Sequence, residues 1–264
     1  MSVLKQWSKL TVFGLLAVFG LLSSSAVKAD SVTFASFEEK TLGNEFKYDS
    51  TGVAGSGGNS YFLTNTTPLG TSAGSGGLTP TPIDVNFRYV ASTIFTAGLN
   101  PLLLGNQDAR LTLNVTSATG VIVFAGFAFQ QNMLGSLEIR RTVPLLGKDL
   151  LLRVDFNGRY QGTNGGQTSS LQADATLGDS VTFTSDFVNF SGATGQNMAN
   201  SFTSVTPLFI KDLISKFFTP HTAHGTGSFA ANNAIVPEPG TIVGAFAGLL
   251  FAGLAAVRRR AKTA

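Results

Sequence analysis

The chain of 264 residues has no cysteine, a formal net charge of +3 and a sequence pI near 9.3; taken whole, such a balance suits a nucleic-acid partner. The distribution of charge removes that reading, because seven of the 18 basic residues lie in two terminal segments, while residues 30–237 hold 11 basic and 14 acidic side chains, a net of −3 with no basic run. A disulfide framework is excluded as well, and a domain of about two hundred residues can bury a core without one.

Residues 1–29 place Lys5 and Lys9 ahead of an apolar run at 10–22, followed by the small residues of 23–29. This is the order of a secretory signal peptide. Val27 and Ala29 occupy the small positions before the cut, making Asp30 the first mature residue, with Ala26 as a competing cut point. The shortness of the apolar core disfavours an uncleaved anchor.

From residue 30 to 236 the dominant pattern has period two. Val85, Phe87 and Tyr89 alternate with polar neighbours, as do Leu111, Leu113 and Val115, then Leu150, Leu152, Val154 and Phe156, then Val181 and Phe183. Such alternation predicts half-buried strands. Further strands are expected at 32–37, 60–65, 121–130, 136–141, 169–176 and 227–231, separated by Gly, Asn, Ser and Thr clusters. Without any regular exchange of strand and helix, the expected class is an all-β antiparallel sandwich, jelly-roll-like. One segment departs from it. Ile210, Leu213, Ile214, Phe217 and Phe218 have helical spacing between Pro207 and Pro220, which predicts a short amphipathic helix packed on the sandwich, with a helix on a membrane surface as the competing reading.

Two glycine-rich stretches, 50–60 and 70–77, share the string Ala-Gly-Ser-Gly-Gly. Neither is followed by Gly-Lys-Ser/Thr or a helix, so they read as loops, and together at one end of the sandwich they would form a binding rim. Gly70-Thr71-Ser72-Ala73-Gly74 has the letters of a nucleophile elbow but lacks the strand before and the helix after that would present Ser72. His221 and His224 are the only histidines, too few for a zinc site, and are expected in a solvated loop beside Pro220 and Gly225. Asp174, Asp179 and Asp186 straddle an expected turn and would be the oxygen ligands if the domain binds calcium, although the ordered spacing of a calcium loop is missing. Glu38 and Glu39 are adjacent, so in a strand they point to opposite faces and cannot share acid/base work.

The C-terminal segment, 237–264, has three parts in order. Pro237-Glu238-Pro239 holds the backbone extended around one acid; residues 241–257 are uncharged and just long enough to cross a bilayer as a helix; Arg258, Arg259 and Arg260 then keep the end on the cytoplasmic side. The small residues Gly244, Ala245, Gly248, Ala252 and Gly253 allow another helix to approach closely. This triple resembles the PEP-CTERM sorting signal. The resemblance covers only about the last tenth of the chain. It implies export, a transient inner-membrane intermediate, recognition and cleavage by an exosortase, and a final place on the surface or in the matrix of a bacterium that makes exopolysaccharide. An ordinary tail anchor with a proline-rich spacer is the competing reading.

For residues 30–236 three functions compete. A non-catalytic surface or matrix protein associated with exopolysaccharide fits the low charge and the abundance of Thr, Ser, Asn and Gly, with no cofactor required. A carbohydrate-binding module would need exposed aromatics, for which Tyr48, Tyr61, Tyr89 and Tyr160 are the tyrosines on hand. A secreted hydrolase has no convergent catalytic set to support it.

Overall fold

The computed structural model describes residues 31–41, 43–65, 79–90, 95–96 and 98–233. The expected signal peptide with its cut between Ala29 and Asp30, Ser72 with the glycine-rich stretch 70–77, and the whole sorting segment from Pro237 through Arg260 lie outside the described residues. Within them the chain is all-β. The strands are β1 (Val32–Glu39), β2 (Phe46–Thr51), β3 (Asn59–Thr64), β4 (Ile83–Tyr89), β5 (Gly105–Ser117), β6 (Ile122–Phe124), β7 (Phe127–Leu145), β8 (Lys148–Thr163), β9 (Ser169–Asp174), β10 (Ser180–Thr184), β11 (Ala193–Thr206) and β12 (His221–Asn233). The helical content among described residues is two 3-10 turns, Pro101–Leu103 and Ala175–Leu177, and no helix there is long and apolar enough to cross a membrane.

All twelve strands belong to one hydrogen-bonded sheet, and its pairings return to their start. The antiparallel ladder runs from β2 through β3, β5, β7, β8, β9, β11 and β12 back to β2. Closure leaves these strands with partners on both sides, so most of their backbone groups are satisfied within the ladder. The long strands make this possible by changing partner along their length. β12 pairs with β1 through 226–231 and with β2 through 221–223, and β5 pairs with β4 through 106–111 and with β3 through 114–117.

Alternation sorts the two faces of this wall as period two requires. Val85, Phe87, Tyr89, Leu111, Leu113, Val115, Val154, Phe156, Val181 and Phe183 are all buried, whereas Asp108, Arg110, Asn114 and Thr116 stand outward. A polar outer face is the reverse of the wall a lipid-spanning barrel presents. Leu151 is a local exception. It is buried beside Leu152 because the β7–β8 pairing slips, Ile139 facing Leu152 and Arg140 facing Leu150, which leaves one extra residue to turn inward.

The interior is organised by aromatic rings. Phe62 is fully buried, with ring centroids 4.6 Å from Tyr160, 4.9 Å from Phe202 and 6.3 Å from Phe46. Tyr160 and Phe202 reach it from across the circuit, so the rings hold opposite walls together. Tyr48, Tyr89 and Tyr160 belong to this core, leaving only Tyr61 half-exposed.

Two sequence expectations are overturned. Residues 121–130 are not one strand: Ala125 and Gly126, at φ 49° and 83°, make a tight turn between β6 and β7. Nor do residues 210–218 form a helix. Lys211 and Phe218 pair across a turn in which the Asp212 carboxylate accepts from the amides of Ile214 and Ser215, at 2.9 and 3.2 Å. A short acid bonding to nearby amides offers the backbone this alternative to a helix. The apolar stripe is divided as a result, with Phe217 and Phe218 buried in the core and Leu213 and Ile214 exposed at 77% and 81%.

Strand directions give the fold two distinct poles. At one lie the loops 52–58 and 164–168, the β6–β7 turn and the segment 207–220, tied together by bonds from Ala54 N to Ser215 O, Val121 N to Lys216 O and Gly165 N to Phe209 O. At the other lie the start of β1, the end of β12, the β7–β8 turn and the loop 185–192. Because Phe62 joins opposite walls, Phe62→Ala should lower unfolding free energy by about 3–5 kcal/mol in chemical denaturation. Leu213→Ala, at an exposed turn, should change it by less than about 0.5 kcal/mol.

Candidate functional site

Polar chemistry inside the wall concentrates where β12 changes partner. Between its β1 and β2 pairings, Gly225 has no strand to receive its amide proton, and the Glu39 carboxylate accepts it instead, at 2.8 Å. A side chain at 225 would drive a Cβ to 2.4 Å from the Phe46 ring. Glu39 is fully covered, and His224 Nδ1 lies 2.9 Å from its Oε2, although out of hydrogen-bond alignment. Burial raises the Glu39 carboxyl from 4.5 to about 7, opposed by the Gly225 amide and reinforced by neighbouring Glu45. The prediction that Glu38 and Glu39 face opposite ways holds, since Glu38 is exposed. The carboxyl that meets Glu39 comes from Glu45, just before β2.

The histidines differ from the expected solvated pair. Both are in β12, His221 fully buried and His224 half-buried. His221 stacks on Tyr48 with centroids 5.0 Å apart and an interplanar angle of 3°. Its Nδ1 lies 2.8 Å from the Thr219 carbonyl, which can only accept, so Nδ1 carries the proton and Nε2 accepts from the Tyr160 hydroxyl at 2.8 Å. Tyr48 in turn donates to Gln130 Oε1 at 2.8 Å, and Gln130 donates to Ser60 and Thr119 at 2.7 Å each. Burial lowers His221 from 6.5 to about 4, keeping it neutral in the fold.

The three aspartates do not make one cage. Asp179 accepts from the Asp174 amide at 3.1 Å and Asp174 accepts from the Thr176 amide at 2.8 Å, whereas Asp186 lies beyond β10 and accepts from the Leu150 amide at 3.0 Å. Among the described residues no three such ligands are grouped to hold a metal ion. Asp174 and Asp179 close a turn and Asp186 holds the start of β8, and that accounts for their positions.

On the outer wall a groove of about 410 Å³ crosses β1, β4, β11 and β12, lined in part by Glu38, Asn86, Arg88, Asn106, Ser201 and Ser228. It offers hydrogen-bond donors and acceptors of both signs with no exposed aromatic ring, so it can take a hydroxyl-rich ligand by hydrogen bonding rather than stacking. Sequence reasoning missed it because these residues are the ordinary outward members of separate strands. No family model, curated protein or solved structure matches the chain.

Glu39 and His221 together make a testable pH dependence. The fold binds a proton on Glu39 that the unfolded chain releases, so this group's contribution to stability declines as pH rises from 4.5 to about 7. The unfolded chain protonates His221 while the fold does not, so that contribution declines as pH falls from 6.5 to about 4. Between 4.5 and 6.5 the two slopes oppose one another. In Glu39→Gln the denaturation midpoint should therefore climb across this interval more steeply than in the unaltered chain. Parallel profiles would show that Glu39 titrates alike in the folded and unfolded chain, so that the fold does not raise it.

Proposed function

We propose that this is an exported, exosortase-processed bacterial surface or extracellular-matrix protein, non-catalytic and associated with exopolysaccharide. The observation that carries the proposal is the ordered triple of Pro237-Glu238-Pro239, the apolar run 241–257 and Arg258-Arg259-Arg260. In this reading residues 1–29 are removed during secretion and Asp30 begins the mature chain. The inner membrane holds the protein only until cleavage.

The architecture supports the reading in two ways. The described chain begins and ends at the same pole, so a tail following residue 233 would tether the fold by one end and leave its walls free. The carboxyl pair of Glu39 and Glu45 is at the seam, with Glu39 fully covered, so it serves the ladder rather than a substrate. We read the circuit as the expected sandwich, its two faces being walls of one continuous ladder. The polar groove favours a second, related reading as a carbohydrate-binding module, in which Asn86 and Arg88 bond sugar hydroxyls. Glycan binding that Arg88→Ala abolishes would select this module reading.

Replacing Glu238 with Ala leaves the apolar run and the arginines in place, so membrane insertion should persist while processing stops. Intact mass should show the unaltered mature chain without Arg258–Arg260 and the variant with them. If the unaltered chain keeps its arginines, the segment is a tail anchor and the sorting proposal fails.

A further inference from the structure

The pole away from the chain ends carries an apolar crown. Phe124 and Phe127 flank the β6–β7 turn and are exposed at 74% and 63%, and Leu213 and Ile214 top the neighbouring turn at 77% and 81%. The two turns are adjacent, joined through Asn164, whose amide donates to Gly126 O at 2.9 Å and whose Oδ1 accepts from the Lys211 amide at 3.4 Å. A contiguous apolar patch on a small domain marks a contact surface, whereas isolated exposed leucines need no explanation.

Charge and backbone bonding determine what this surface suits. The loops that build the crown contain three charged residues, Lys211, Asp212 and Lys216. Asp212 is turned to the amides of Ile214 and Ser215, and neither lysine forms an ion pair among the described residues. The crown is thus the cationic end of a domain whose mature part is net acidic. Much of the backbone of the Leu213 turn is also paired internally. Asp212 N bonds Phe217 O at 2.8 Å, Lys216 N bonds Asp212 O at 3.0 Å, and the Leu213 carbonyl accepts from Lys216 Nζ at 2.6 Å. Each internal bond lowers the cost of moving apolar tips toward a medium that offers no hydrogen bonds.

We propose that the crown is a lipid-docking surface. It dips Phe124, Phe127, Leu213 and Ile214 into the interface of a bilayer bearing anionic headgroups, with Lys211 and Lys216 against the phosphates. The wall is less suited, because its outward residues are mostly polar, with Leu134 and Val143 as exceptions, and its arginines at 110, 140, 153 and 159 are already paired with acids. Residue 233, where the described chain ends, is at the pole opposite the crown.

The test places a single reporter in the full chain. Trp7 is the only tryptophan, so Trp7→Phe combined with Phe124→Trp puts the sole indole on the crown, and Trp7→Phe with Leu134→Trp puts it on the wall, where Leu134 is 61% exposed. Added to vesicles of phosphatidylcholine with phosphatidylglycerol, the crown indole should shift to the blue and be quenched by brominated acyl chains. The wall indole should not respond. Adding Lys211→Glu and Lys216→Glu to the crown reporter should raise severalfold the lipid concentration needed. A crown indole unquenched in these vesicles, or quenched equally well without phosphatidylglycerol, overturns the proposal. So does a blue shift without vesicles that disappears on dilution, which would assign the crown to a second copy of this chain.

Discussion

Closure of the ladder is the constraint on which the rest of this structure depends. A chain without disulfides, rich in small polar residues, must leave no extended edge open, and it achieves this by letting β5, β8 and β12 each serve different partners along their length. Each change of partner creates a fork where a backbone group can be stranded. At the β12 fork Glu39 takes up the Gly225 amide. A buried acid and an obligatory glycine are therefore consequences of topology, and neither requires a catalytic explanation.

The aromatic interior follows from the same closure. With walls converging from all sides, Phe62, Tyr160, Phe202 and Tyr48 meet ring to ring, and the tyrosine hydroxyls must find partners indoors. His221, Ser169, Gln130 and Ser60 supply them. The feature that makes the core large also withdraws Tyr48, Tyr89 and Tyr160 from the surface, so sugar recognition in the wall groove would rely on hydrogen bonds.

Much of the fold was legible because one face of each wall is dry. Wherever apolar and polar residues alternate without interruption, as in β4, β5 and β10, the inward set is the one expected from the letters alone. β11 escaped because its inward positions include Asn200 among a few apolar residues, too polar a set for alternation to register. β2 escaped because Lys47 is buried with its neighbours, which erases the period. The expected helix at 210–218 had the right spacing, and a single local competitor, Asp212, decided against it. The seam of Glu39, Glu45 and His224 could not be read at all, since its members come from separate parts of the chain and meet only when the ladder closes. The proposed sorting motif is the opposite case, written in consecutive residues.

The position of β12 has a mechanical consequence. Its thirteen residues run from the crown to the pole where the described chain ends, with β11 on one side and β1 and β2 on the other. A load applied at Asn233 while the crown is held pulls β12 along its own axis, so the rungs on both flanks, lying across the strand, are sheared together. A load between residues 31 and 233 instead peels β1 from β12 one rung at a time, beginning near Val32 and Ala231. The fold is thus strong in the direction in which a tethered domain would be dragged and weak between its own two ends.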